Sequence, residues 1–157
     1  MLKVIDDVCT PTRGTKYSAG VDLKSRVDIK AMCGVTTFIP LGVKIDKDNL
    51  SIQDDFVCRK HFLDLKPRSS IRAKGFIVGT GVIDLDYPDE ICLILYKPHT
   101  VTSIVKSIVS LGKWKTYTEF KRGERIAQLL VKTHFPEFLG IESTKERTGG
   151  VGSTGKD

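Results

Sequence analysis

Phe76-Ile77-Val78-Gly79-Thr80-Gly81-Val82-Ile83-Asp84-Leu85-Asp86-Tyr87 is the stretch on which the reading of the fold turns. Two short apolar, β-branched runs flank Gly79-Thr80-Gly81, a spacing that predicts a hairpin with a three-residue loop. The same grammar continues outward in both directions. Ile91–Tyr96 is a six-residue apolar run of the kind found in buried strands. Arg125–His134 reads as another strand, and Phe56-Val57-Cys58 leads towards one at His61–Leu65. Thr36–Pro40 and Val43–Ile45 read as strands flanking a Leu41-Gly42 turn. Two segments break the β pattern. Ser69–Lys74, after Pro67, reads as one or two helical turns, and Ser103–Leu111 fits either a helix or a strand. Many short strands punctuated by Gly, Pro, Asp and Asn predict an all-β sandwich or barrel.

The chain has 157 residues, enough for one domain with a sizeable core. No apolar run approaches the length of a membrane span, and Met1–Asp7 lacks the apolar stretch of a secretory signal. Cys9, Cys33, Cys58 and Cys92 form no C-x-x-C pair, which suits reduced, mostly buried thiols in a cytoplasmic protein. His61, His99 and His134 are equally scattered, so no His/Cys metal site is expected. The formal net charge of +6 suits a polyanionic partner such as a nucleoside triphosphate, a nucleic acid or an anionic surface. The basic residues are dispersed, which argues against a dedicated nucleic-acid interface.

Four clusters carry candidate chemistry, each with a plainer structural alternative. Asp84 follows an apolar run, where a held carboxylate can orient and deprotonate a water, and Tyr87 offers a flat face for a sugar or base. The alternative is a solvated strand end beside a core tyrosine. Pro67-Arg68-Ser69-Ser70 supplies a guanidinium and two hydroxyls for an anion, or simply begins a helix. Asp22 sits in Ala19-Gly20-Val21-Asp22-Leu23, and Gln128 in Gly123-Glu124-Arg125-Ile126-Ala127-Gln128. Their alternatives are a turn acid and an ordinary strand entry. The chain closes on Gly149-Gly150-Val151-Gly152-Ser153-Thr154-Gly155-Lys156-Asp157. Such glycines let backbone N–H groups line an anion-binding concavity, and Ser153 and Thr154 add donors. Gly150–Lys156 matches most of a Walker-A loop, but Asp157 stands where its Ser/Thr belongs. The tail is therefore a loose end or a clamp over a phosphate bound elsewhere.

Taken in order, Ala-Gly-Val-Asp, Pro-Arg-Ser-Ser, Gly-Val-Ile-Asp-x-Asp-Tyr, Gly-Glu-Arg-Ile-Ala-Gln and Arg-x-Gly-Gly-Val-Gly-Ser-Thr-Gly closely resemble the five motifs of the trimeric dUTPase family. The resemblance runs from Ala19 to Gly155. It implies an all-β jelly-roll subunit of the dUTPase β-clip type, assembled as a homotrimer with each active site drawn from three subunits. Residues 1–146 would form the jelly-roll domain and 147–157 its flexible glycine-rich lid. The implied reaction splits dUTP into dUMP and pyrophosphate with Mg²⁺. By the same resemblance Asp84 is the general base, and Tyr87 lies under the deoxyribose and excludes a 2′-OH. Gly81, Val82 and Ile83 belong to a hairpin that reads uracil. Arg68, Ser69, Ser70 and Gln128 meet the phosphates, and Asp22 holds Mg²⁺ through a coordinated water. Arg147, Val151, Gly152, Ser153 and Thr154 close over the nucleotide.

The chain departs from the family pattern at several points. Val151 stands where an aromatic ring usually stacks on uracil, and the spacing from Arg147 to Val151 is one residue short. Ser70 replaces a common Gly, and Glu124 a common Asp. Extra residues lie in His99–Thr116, by roughly a hairpin, and near Asn49–Lys60. These are surface loops or a site for a protein partner. No membrane partner is expected. Two rival readings share the scaffold: a dCTP deaminase, and a nucleotide-binding regulatory protein.

Overall fold

The backbone hydrogen bonds of a strand run within the plane of its sheet, and in this chain two four-stranded sheets take most of the strands. The computed structural model describes residues 2–46, 60–79, 81–109, 117–135, 139, 140 and 149. One sheet joins β1 (Leu2–Val4), β4 (Thr36–Ile45), β8 (Glu90–Tyr96) and β6 (Ile77–Gly79), in the order β1-β4-β8-β6. The other joins β2 (Val21–Lys24), β10 (Arg125–Thr133), β5 (His61–Pro67) and β7 (Val82–Ile83), in the order β2-β10-β5-β7. A third, two-stranded ribbon pairs β3 (Ile29–Met32) with β9 (Tyr117–Phe120). All named strand pairs are antiparallel. A short 3₁₀ turn covers Asp7–Cys9, and two α-helices, α1 (Ser69–Ala73) and α2 (Val101–Val109), complete the described elements.

The core lies between the two larger sheets. Ile39, Leu41 and Val43 from β4 and Ile91, Leu93 and Leu95 from β8 meet Leu63 and Leu65 from β5, Leu23 from β2 and Ile126 from β10. Each is essentially sealed from water. The period-two alternation of β8 shows in its burial, with Ile91, Leu93 and Leu95 inside and Cys92, Ile94 and Tyr96 outside. Complete burial of one such aliphatic contributes about 1.5–3 kcal/mol. Ile71 brings α1 onto the same core.

The expected strands Ile91–Tyr96, His61–Leu65 and Arg125–His134 are present within a residue or two. Ser69–Ala73 is helical as expected, and the described part of the ambiguous Ser103–Leu111 segment lies in α2, which spans Val101–Val109. Two turn assignments are corrected. Leu41-Gly42 is not a turn. It is a bulge inside the ten-residue β4, where the register against β8 shifts between Pro40 and Lys44. Gly42 takes φ of 66°, and a Cβ there would lie 2.5 Å from Cys9 Cβ. The Gly42 N–H instead donates to Glu90 Oε1 at 2.7 Å, and Arg26 holds that carboxylate in a two-pronged bond of 2.9 Å on each oxygen. Glu90 in return keeps the Arg26 guanidinium charged above its ordinary range.

The second correction concerns the opening stretch. Ile77–Gly79 pairs with β8, whereas Val82-Ile83 pairs with β5. Gly79–Gly81 therefore carries the chain from one sheet to the other instead of folding a two-stranded hairpin. Both flanking runs find longer partner strands. Of the cysteines, Cys9 is buried and Cys33 and Cys92 are half-buried and free, while Cys58 lies outside the described residues. Burial pushes the Cys9 thiol pKa up, as it does for Cys92.

Candidate active site

Three of the sequence clusters meet at one end of the β2-β10-β5 surface. Asp22 and Gln128 face each other across β2 and β10, and Gln128 faces Lys66 of β5 on its other side. Directly opposed residues share a face, so the Asp22 carboxylate and the Gln128 amide point the same way. Gly20 makes this approach possible: a Cβ there would stand 2.5 Å from the Leu129 carbonyl oxygen. Arg68 leaves β5 immediately after Pro67, and its backbone N–H donates to the Ile126 carbonyl at 3.0 Å. That bond ties the start of α1 to β10.

The buried Asp22 carboxylate organises the cluster. Its Oδ2 accepts from Arg68 Nη1 at 2.9 Å and from Arg125 Nη1 at 3.2 Å, and its Oδ1 accepts from Gln128 Nε2 at 3.1 Å. Asp22 retains only 3 % of its surface, which makes these charge-assisted bonds matter to the fold as well as to binding. Two guanidiniums against one carboxylate leave a net positive charge at the cluster. The Arg68 and Arg125 side chains remain partly exposed, so donors not turned to Asp22 can meet an incoming anion. Ser69 and Ser70 lie exposed on the first turn of α1 beside Arg68. The five motifs give Arg125 no role of its own. Its signal was its place three residues before Gln128 on one strand, but the bulge in the β10–β2 register between Arg125 and Ala127 hides from sequence periodicity that both reach Asp22.

A divalent ion can be tested against these donors. Among the described residues no group of three or more His, Cys, Asp or Glu side chains is placed to hold a metal. Asp22 spends three acceptor positions on Arg68, Arg125 and Gln128. A carboxylate offers about four lone-pair sites, so one remains for a water. The residues fit an ion bound by substrate phosphates and water with Asp22 in its outer shell, and do not fit a protein-made cage.

Asp84 and Tyr87 stand elsewhere. They occupy the connection between β7 and β8, where the Tyr87 N–H donates to the Asp84 carbonyl at 3.0 Å. Asp84 is exposed, Leu85 is buried, and Tyr87 is half-buried against the core. Val82 is exposed and Ile83 half-buried, and Gly81 accepts weakly from the Leu65 N–H at 3.4 Å. Ile83 faces Leu63 across the β5–β7 pair. Arg68 lies further along β5 in the opposite direction from Asp84. Six strand positions at about 3.3 Å each put roughly 20 Å between the two backbones. One chain therefore presents the anion cluster and the candidate base at opposite ends of β5. Arg147, Val151, Gly152, Ser153 and Thr154 lie outside the described residues.

The chain is similar to known proteins along nearly its whole length. The dUTPase family model matches residues 6–155. The chain is 32% identical over 160 residues to the human mitochondrial deoxyuridine 5'-triphosphate nucleotidohydrolase, covering 99% of this chain and 54% of that protein. It is 32% identical over 161 residues to the Mus musculus deoxyuridine 5'-triphosphate nucleotidohydrolase, covering 99% of this chain and 84% of its relative. Thus the chain spans about half the length of the human relative and most of the mouse one. Among solved structures, the dUTPase of Streptococcus mutans superposes with a TM-score of 0.59 at 22% identity, over 85% of this chain and 95% of that one. A variant dUTPase of phage phi11 of S. aureus, described as revealing the coordination of a structural Mg(II) ion, gives 0.65 at 14% identity over 94% and 95%. At these identities the solved structures establish the shared fold, the jelly roll of the β-clip type.

Proposed function

The chain belongs to the dUTPase family, and on that premise we propose that it hydrolyses dUTP to dUMP and pyrophosphate. The observation that carries the reading is the convergence of Arg68, Arg125 and Gln128 on the buried Asp22. Arg68, Ser69, Ser70 and Gln128 bind the phosphate chain, and Arg125 positions Asp22 and through it Arg68. Asp84 takes a proton from a water whose oxygen attacks the α-phosphorus. The bond to the bridging oxygen breaks and pyrophosphate leaves with its electron pair. Tyr87 packs under the deoxyribose where a 2′-OH would collide, and Gly81, Val82 and Ile83 line the base. Asp22 would hold Mg²⁺ through a coordinated water, and the ion would supply charge neutralisation at the phosphates.

Because Asp84 and Arg68 lie about 20 Å apart along one β5, the site is completed by another copy. A homotrimer closed by head-to-tail contacts brings the Asp84 end of one chain to the Arg68 end of the next. An apolar sheet face is available for such a contact. Phe38 faces Ile94, and Tyr96 faces both Thr36 and Ile77, on the outer side of the β4-β8-β6 surface. Phe38, Ile77 and Tyr96 are all exposed there. Residues 1–146 act as one domain, and 147–157 close over the bound nucleotide, with Arg147, Gly152, Ser153 and Thr154 on the phosphates and Val151 over uracil.

No helix among the described residues is long and apolar enough to cross a membrane. The test of the reading is product analysis with dUTP and dCTP. Formation of dUMP and pyrophosphate from dUTP supports it. Ammonia release from dCTP would assign the chain to deamination instead, and turnover of neither would leave only nucleotide binding.

A further inference from the structure

The segment between β8 and β9 carries α2, which spans Val101–Val109. Every α2 side chain whose exposure is described is aliphatic and lies open: Val101 at 79%, Ile104 at 46%, Val105 at 51%, Ile108 at 70% and Val109 at 77%. Their spacing of i, i+3, i+4, i+7 and i+8 puts all five on one stripe. Nothing in the helix's own chemistry sustains it bare. A nine-residue helix is below the length that holds alone in water, and Val and Ile are poor helix formers. Such a helix draws its stability from whatever covers the apolar face.

The position of α2 identifies the cover. It follows Tyr96, the last residue of β8, after Lys97-Pro98-His99-Thr100. Its base is tied down, because Lys97 forms a bridge with Cys33 and its carbonyl accepts from the Gly34 N–H at 2.8 Å. The stripe therefore starts five residues after Tyr96, which with Ile77 is exposed on the outer β4-β8-β6 face. Two exposed apolar surfaces on one chain thus begin at the same strand end. The site already requires another copy, since one chain cannot bring its own Asp84 and Arg68 together.

We propose that α2 is a clasp between subunits: its Val101/Ile104/Val105/Ile108/Val109 stripe docks on a neighbouring copy of this chain and extends the interface that completes the active site. The proposal rests on the shared-site reading of the enzyme. An anionic membrane or an acidic protein groove is less well matched. The polar residues of a surface-bound helix would ring the stripe with lysines, and α2 itself contains only Lys106.

The experiment compares the wild-type chain with Ile104→Glu/Ile108→Glu. Both positions are exposed in the subunit, so its fold tolerates the change. Mass by light scattering, dUTP hydrolysis and the emission of the single Trp114 are followed over serial dilution. The expected result is a trimer in both proteins at high concentration, with the double variant dissociating and losing activity at about tenfold or greater higher concentration. Its specific activity at high concentration should equal that of wild type. Val105→Leu, which keeps the stripe apolar, should dilute like wild type. Superimposable dilution curves for wild type and the double variant would overturn the clasp and leave the shared-site enzyme standing. An active wild-type monomer would overturn both. Wild-type trimers that bind phosphatidylserine vesicles, or polyglutamate, in a way the double variant loses would show the stripe free in the assembly and would also overturn it.

Discussion

Replacing Asp22 by alanine removes the one carboxylate that Arg68 and Arg125 both contact, and leaves Gln128 without its acceptor. Two guanidiniums then face each other at a partly desolvated position. Partial exposure of both arginines moderates the cost, so a loss of about 1–3 kcal/mol in stability is expected by denaturant unfolding. Hydrolysis should fall further than stability, because Arg68 loses its orientation. An Asp22→Ala chain that melts and turns over like wild type would remove Asp22 from this organising role. Asp84 makes a different prediction, being exposed and outside the core. Asp84→Asn keeps the shape but cannot accept the water's proton, so kcat should fall by at least ~10²-fold while dUTP binding persists. Retained turnover in that variant would place the base elsewhere. At this scale the sequence was informative about identity and silent about contact. Asp22, Arg68 and Gln128 were legible from their motifs. Arg125 was not assigned, because its reach to Asp22 depends on a bulge that no spacing rule shows.

The strands show which local signals carry over to tertiary structure. Ile91–Tyr96 was readable because β8 alternates against a core on one side only. The Gly79–Gly81 signal marked a break between two strands but could not say which strand takes each side. Leu41-Gly42 misled for a related reason: a glycine with positive φ serves a bulge as readily as a turn. That bulge is testable. Gly42→Ala adds a Cβ 2.5 Å from Cys9 Cβ at a φ that side chains rarely adopt, so a loss of about 1–3 kcal/mol in stability is expected. Wild-type thermal stability in this variant would mean that Cys9 and the bulge yield freely.

Between β5 and β10 a second cluster sets an acid dependence. Asp64 is buried and accepts from Lys66 at 2.9 Å and Lys132 at 2.7 Å. Burial pushes its carboxyl pKa up, but the bonds from Lys132 and Lys66 outweigh this and bring it below the ordinary value of 3.8. A carboxyl lowered on folding contributes stability that is fully present above its unfolded pKa and is lost as pH falls through the folded value. The stability gap between wild type and Asp64→Asn should therefore be constant near neutrality and narrow below 3.8. A gap unchanged through that range would show the lysine contacts to be energetically silent.

In the whole molecule the proposed site divides its labour between copies. The sheet order β2-β10-β5-β7 gathers Asp22, Arg68, Arg125 and Gln128 at one end of β5 and sends Asp84 and Tyr87 past the other. The motif resemblance implies a site shared between subunits, but motif order does not say which chain supplies which residue. The most direct measurement is subunit mixing. Asp84→Asn and Arg68→Ala chains, each inactive alone, are unfolded together in equal amounts, refolded and assayed with dUTP. If each site takes Asp84 from one copy and Arg68 from the next, mixed trimers regain one intact pairing of three. Random mixing then restores roughly a quarter of wild-type activity. If both residues of a site come from the same chain, every site carries one defect, and a mixture as inactive as its parents contradicts the account.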